Sequence, residues 1–509
     1  MGVEAGVNTG ALGYYTNVIT MNGGTLVPTR NITTSHPIVL GSNGGVLDLP
    51  NGVTLTLTNS ITGANNTLTK KGNGTLVLAP SANYGKLIVE NGSVTSQESN
   101  SRLSYPKTIE LHNATLRDAD NIYSYSTNAA NVLVSKDCVA SWYLDSRCSY
   151  TGTLTGKGSL NLYVQSIRNE LKGDWSQFAG VLKIYSNKTG SYTPELSIDN
   201  SYGMKNASVS VSCPINNNGK NFAFGNLAGS AQLNGSGTWT IGALGNEVTY
   251  SGVINGGKII KTGDGVWTLK AAQNKVGGLT TVNGGILNLY APRVTTLFFG
   301  ENGVSVTGTG ILAGMAAVYS INVNNGGTLR PGYYSPSAQY AYGALKATNG
   351  IYCYSGSNVK FYLRNGNGGD SSRSYLVSES GLSINGKIVV EKYSSYVPKV
   401  GDTFVLWTAK SFSGTPASII LPELPSGMEW DTSALYQPTG VLKVIVSTGI
   451  KQISDNEMFV CSVFTTSGVK VGNLRTNKQS MRRDVKNLGV PAGIYIVRVG
   501  GESVKITVK

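Results

Sequence analysis

The sequence predicts an all-β chain wound as a parallel β-helix solenoid, followed by a β-rich cap and a small C-terminal antiparallel β-sandwich. Three observations predict it. First, one strand–corner–strand sentence is written twice, as Leu68-Thr69-Lys70-Lys71-Gly72-Asn73-Gly74-Thr75-Leu76-Val77-Leu78 and as Ile259-Ile260-Lys261-Thr262-Gly263-Asp264-Gly265-Val266-Trp267-Thr268-Leu269. Each copy continues into a second short β run, Leu87–Val94 in one and Leu279–Asn288 in the other. A unit of this kind cannot bury its apolar face alone and has to stack on copies of itself. Second, Asn-Gly-Gly recurs as a corner, and the step from Gly23 to Gly44 is 21 residues while that from Gly284 to Gly326 is 42. One rung of about 21 residues holds three short strands and three turns. Third, the 509 residues include 65 glycines and only 13% charged residues, which suits a chain full of tight turns.

Taken in order, residues 1–347 read as the repeat region. The corners Gly72, Gly74, Gly263, Gly265, Gly284 and Gly285 bend the chain between strands. Val53-Thr54-Leu55-Thr56-Leu57-Thr58 alternates, so leucine points inward and threonine outward. By the same parity Trp267, Leu269, Leu287 and Leu289 point inward, and Thr268 and Asn288 outward. Tyr123 to Gln232 is less regular, and its Trp175 and Phe178 read as core or corner packing, with an exposed binding pair as the alternative. Residues 348–446 have longer strands and wider loops, with a Pro-rich bend at Pro422–Asp431, and read as the cap that a solenoid end needs. Residues 447–509 read as a separate antiparallel unit with a polar stretch in its middle.

Lys+Arg 41 against Asp+Glu 27 leaves a net charge of +14. The cations are scattered, with no run beyond pairs such as Lys70-Lys71 and Arg482-Arg483, and no zinc-finger, RNA-binding or basic-helix pattern points to nucleic acid. An anionic glycan or similar polymer stays open as a partner. No apolar run approaches the roughly 18 residues that a membrane span needs. The five cysteines form no Cys-x-x-Cys pair, so neither a metal nor a redox cofactor is expected from them. Parity puts Cys213 and Cys461 on apolar faces, and Cys138 with Cys148 could pair across a turn.

Chemistry has few places to sit. The strongest acidic cluster is Arg117-Asp118-Ala119-Asp120, where both aspartates share parity, with Asp137 and Asp145 about one rung onward. Paired carboxylates with a cation on adjacent rungs serve acid/base work or calcium, and a solvated turn is the plainer alternative. His36 and His112 are the two histidines, and no Gly-x-Ser-x-Gly elbow supports a nucleophilic serine. Gly263-Asp264-Gly265 is too small for a phosphate loop and no helix follows it. The expectation is no catalytic site, no metal and no cofactor, with Arg117, Asp118 and Asp120 as the weak candidates.

Two stretches resemble known families. Lys71-Gly72-Asn73-Gly74-Thr75-Leu76 and Lys261–Leu269, with their following rungs, resemble autotransporter-associated β-strand repeats of bacterial passenger regions. That resemblance covers most of residues 20–446 and implies a right-handed coil. It implies little about activity, because such rods serve as adhesins, scaffolds and enzyme companions. The end of the chain resembles the type A C-terminal sorting domain of type IX secretion. The residues that carry this are Val463–Val469, Pro491-Ala492-Gly493-Ile494-Tyr495-Ile496-Val497, and Lys505-Ile506-Thr507-Val508-Lys509. The resemblance implies delivery across the outer membrane of a Gram-negative bacterium, with the secretion machinery as partner and lipopolysaccharide as a site of attachment. The sorting residues would be Pro491, Ala492, Gly493, Tyr495, Val497, Lys505 and Lys509. No translocation barrel is read at the chain end.

The function expected is therefore a secreted or surface-attached, non-catalytic rod of the adhesin or scaffold type. The alternative is a polysaccharide-active lyase or hydrolase, or its accessory C-terminal part. Export also requires a signal peptide, and Met1-Gly2-Val3-Glu4-Ala5-Gly6 has neither a basic nor an apolar region. Met1 is thus expected not to be the biological start, with an apolar cross-section exposed near Val18, Leu26 and Val39.

Overall fold

The structure is a computed structural model. It describes residues 13–509 except 79–81, 97, 100–101, 104, 119–124, 146, 166–167, 188–192, 271–274, 292–297, 336–341, 367–368, 370–371, 448–457, 478 and 500–501. The chain winds through three faces per turn. Ile38–Leu40 lies on face C, Gly45–Asp48 on face B and Thr54–Leu57 on face A, and the next turn repeats the path through Ile61–Lys71 and Thr75–Leu78. Face A is a continuous parallel ladder, beginning Ile32–Leu55–Leu76–Val94–Leu116–Trp142–Leu162–Ile184. Among the described residues the ladders make sheets of 38 and 9 strands, parallel except where Glu98–Ser99 meets Arg102–Leu103 and at the closing strand of the coil.

The alternation of strand sequences builds the interior. Along Thr54–Leu57 the leucines are buried and the threonines half-exposed. The inward residues of successive coils stack into one core running from Met21 to Leu442. Trp175 and Phe178 belong to it. The paired Asn-Gly-Gly corners lie one coil apart, where Gly23 donates to the Gly44 carbonyl at 2.7 Å and Asn43 donates to the Asn22 side chain at 2.9 Å. The repeat length is elastic. Leu312 pairs with Leu329 but Leu329 pairs with Val359, because loops of different length leave the coil at its corners.

The coil does not stop near residue 347. Residues 348–420 form further turns on the same three faces, with Asn358–Leu363 on Lys387–Lys392 on Ser418–Ile420 along face A. The closing element is shorter. Thr439–Val446 runs antiparallel to both Thr403–Thr408 and Met428–Asp431. Trp430 packs against Phe404 there and donates to the Pro422 carbonyl at 2.8 Å. Reversing strand direction gives the last parallel ladder a partner that no further coil has to follow.

At the other end, Val18 is 55% exposed. Leu26 packs partly buried on the core. Val39 faces outward from its strand between buried Ile38 and Leu40. Ile19, Leu26, Val27, Ile32 and Ile38 help line an apolar cavity of about 120 Å³ beside them.

The C-terminal unit differs from the sandwich expected. It is one four-stranded antiparallel sheet, ordered Lys470–Thr476, Phe459–Thr465, Gly493–Val499, Glu502–Val508, with a short helix Met481–Lys486 on it. The polar stretch makes that helix. Its two apolar residues, Met481 and Val485, are four apart and bury on one side with Val463, Val497 and Val508. Thr476 donates to the Asp484 carboxylate at 2.7 Å and ties the helix to its preceding strand.

Candidate functional site

Asp118 closes the strand Thr108–Arg117 and turns into the coil interior. It is fully buried, not solvated as a turn residue would be. Its carboxylate accepts from Tyr150 at 2.6 Å, from Tyr105 at 3.1 Å and from the Trp142 indole at 3.4 Å. Burial pushes it up to about 7 against those three donors, and the neighbouring Asp145 adds to the rise. Arg117 does not face Asp118. It points out of the coil, where its guanidinium pairs with Asp145 at 3.1 Å and sits 4.5 Å over the Tyr143 ring. Asp145 is thus brought to the cluster. Asp137 is not, being on an exposed turn with φ of 61°. Asp120 lies outside the described residues.

Arg117 ends an aromatic column on the outside of face A. Tyr143 stacks on Tyr163 with centroids 4.4 Å apart, and Tyr163 on Tyr185 at 5.1 Å. The ladder register puts these tyrosines at equivalent positions on successive coils. Their faces are used on one another, which leaves the ring edges to solvent.

The histidines do not build a nucleophile. His36 is buried and its Nδ1 bonds the Asn17 carbonyl at 2.8 Å. His112 and Ser135 both bond the same oxygen of Glu110, at 2.9 and 3.0 Å, and Lys86 pairs with the other oxygen at 2.5 Å. Burial works against this carboxylate, but those bonds outweigh it and hold Glu110 down at about 2. The carboxylate occupies the middle of the trio, so the imidazole does not take the serine proton.

Sequence reading missed two buried lysines, Lys70 and Lys261, although each shares parity with an inward residue, Leu68 and Ile259. Lys70 pairs in register with Leu47 and Val89, and Lys261 with Ile241 and Val282, so each occupies an apolar interior position. Each ammonium curls into the corner that follows it. Lys70 donates to the carbonyls of Gly72, Gly74 and Asn91 at 2.5, 2.6 and 2.7 Å. Lys261 donates to Thr262, Gly263 and Gly284 at 2.8, 3.0 and 3.0 Å. Burial draws both down to about 8, while Asp48 and Asp264 pull the other way. The corner motif is therefore Lys-x-Gly-x-Gly, completed by an Asn-Gly corner one coil later. A Cβ on Gly92 would run into the Lys70 ammonium, and one on Gly285 into the carbonyls of Gly263 and Gly265. The signal was present in the repeated Lys before the glycines.

Thr268 and Asn288 point away from Trp267 and Leu287 as parity requires, yet they are buried. The segment at Tyr334 covers them, with Asn288 donating to the Tyr334 carbonyl at 2.8 Å and accepting from its N–H at 3.2 Å. All five cysteines are free, including Cys138 and Cys148. Burial pushes Cys213 and Cys353 up to about 12, which keeps both as inert thiols. Among the described residues no cluster of three or more His, Cys, Asp or Glu could hold a metal. No helix among them is long and apolar enough to cross a membrane.

In the C-terminal unit the motif residues divide by role. Tyr495 and Val497 are core, and the Tyr495 hydroxyl donates to the Pro491 carbonyl at 2.8 Å, fixing the turn that carries Ala492 and Gly493 into the strand. Lys505 and Lys509 are exposed on the last strand and its end. No protein-family model matches the chain, and no curated protein matches it. What is shown is the fold: a large all-β protein with long parallel sheets, as in a β-solenoid, and a small antiparallel sheet at its C-terminal end.

Proposed function

We propose that this chain is an exported bacterial rod of the adhesin or scaffold type, secreted or held at the cell surface, with residues 447–509 as its type IX sorting signal. The observation that carries the reading is the pairing of two unlike parts. A long parallel coil ends in a closing antiparallel strand, and a separately cored small unit follows it. Its charged clusters support a non-catalytic role: Asp118 is sealed by two tyrosines and a tryptophan, and Glu110 is shared among a lysine, a histidine and a serine. The secretion machinery is the partner this reading requires, and an anionic glycan or lipopolysaccharide is the partner that the net charge of +14 suits.

The test is delivery. Deleting residues 449–509 in a Gram-negative host with type IX secretion is expected to strand the folded coil in the periplasm. Normal surface delivery of the truncated protein would overturn the reading. A polysaccharide-active role keeps Asp118 and Asp145 as its candidates. Incubation with polygalacturonate is expected to release no unsaturated, ultraviolet-absorbing product, and such release would favour that rival.

A further inference from the structure

The positive charge of the chain is unevenly placed. Residues 458–509 hold nine lysines and arginines against Asp484 and Glu502, a net +7 of the chain's +14. Their strongest gathering lines an open cleft of about 550 Å³ between the helix Met481–Lys486 and the strand Glu502–Val508. Arg482, Arg483, Lys486 and Lys509 supply its charge, and Thr507 and Val508 its floor. Within the cleft only Arg483 has an acidic partner among the described residues, Asp484 at 3.3 Å. The strand Glu502–Val508 is also the outer edge of its sheet, paired on one side by Gly493–Val499 and on the other by no strand among the described residues.

We propose that this edge is a docking surface for an extended acidic segment of a partner protein, which adds to the sheet beside Glu502–Val508. An edge strand presents unused N–H and C=O groups along its length. Strand addition supplies affinity from those groups, and side chains alternating along the added strand supply specificity. Here the alternate side chains would fall toward the helix, where the cations are. The same cations repel a second copy of this edge, so the charge that prevents self-pairing selects an acidic partner. The opposite edge, Lys470–Thr476, has exposed Lys470 and Arg475, and neither of them lines this cleft. The inference stands on charge and topology and does not depend on the route of export.

The probe is a dye-labelled decapeptide of alternating glutamate and valine, titrated into the full chain and followed by fluorescence anisotropy. Saturable binding is expected, weakening about tenfold or more when salt is raised several-fold. The triple variant R482E/K486E/K509E is expected to lose about tenfold or more, and R475E on the opposite edge to bind unchanged. Backbone N-methylation at alternate peptide positions is expected to abolish binding, which a simple polycation would not notice. All changed side chains are exposed, and thermal unfolding checks that the variants keep their fold. Equal binding of a lysine–valine peptide, equal loss in R475E, or indifference to N-methylation would each overturn the proposal. So would binding of phosphatidylglycerol vesicles with no binding of the peptide, which would make the cleft a membrane-surface contact.

Discussion

Burial raises the proton affinity of Asp118, and the direction of that shift sets a pH dependence. Its ordinary value is 3.8 and its folded value about 7, so between those limits the folded chain holds a proton that the unfolded chain has released. Stability from this group is therefore full below about pH 4 and falls as pH rises through 7. Urea midpoints at pH 4.5 and 7.5 should show this fall in the wild type. Asp118→Asn should remove that part of it, and an unchanged pH slope in the variant would mean that another group is responsible. Lys70 makes the opposite demand, since removing its ammonium orphans three carbonyls. Lys70→Met is expected to cost about 1–3 kcal/mol. Lys261→Met should cost a similar amount independently, because the two corners share no partner. Leu287 is fully buried between Trp267 and Leu312 in the ladder, and Leu287→Ala should cost about 2–5 kcal/mol by denaturant titration.

At the scale of a corner, glycines that look alike in the sequence are not alike in space. Gly72 has φ of +69°, and a Cβ there would enter the Leu49 backbone carbonyl. Gly284 is not left-handed, and its nearest neighbour to a new Cβ would be the Gly263 carbonyl oxygen at 3.3 Å. Gly72→Ala should therefore lose well over about 1 kcal/mol, and Gly284→Ala about 0.5 kcal/mol or less. Equal losses at the two sites would show that the corner relaxes as a unit. This is also where sequence reading reaches its limit. Period and parity place the strands, their inward leucines and the Asn-Gly-Gly corners, because those features follow from two-residue alternation and stacking. They do not report what covers a face from far away in the chain. Asn288 is outward by parity but buried, because Tyr334 comes back over it. Asp118 reads as a turn acid, yet its three donors come from Tyr105, Trp142 and Tyr150, brought together only by the coil. The helix Met481–Lys486 shows two apolar residues in a polar stretch, too thin a stripe to announce itself.

Over the whole molecule, apolar burial falls into two large cores that share no residue. One runs through the coil from Met21 to Leu442 and the other holds Cys461, Val463, Met481, Val485, Tyr495, Val497, Ile506 and Val508. A solenoid gains stability from each coil's contact with its neighbours, so its cooperativity propagates along the ladder and ends where the ladder ends. The antiparallel strand Thr439–Val446 is that end, and among the described residues the sheet that follows pairs only with itself. Folding cooperativity should divide at the same place. Calorimetry of the full chain is expected to resolve a large transition for the coil and a smaller one for residues 458–509. Deleting residues 449–509 should remove the small transition and leave the midpoint of the large one within about 2 °C, since no core residue of the coil is lost. Extending the deletion to residue 421 removes the closing strands and exposes the last parallel ladder with Phe404 and Trp407. That longer truncation should lower the coil's midpoint and promote end-to-end association, visible as concentration-dependent light scattering. If the shorter truncation lowered the coil's midpoint as far as the longer one, the C-terminal sheet would be part of the cap, and the boundary drawn at residue 447 would move to the end of the chain.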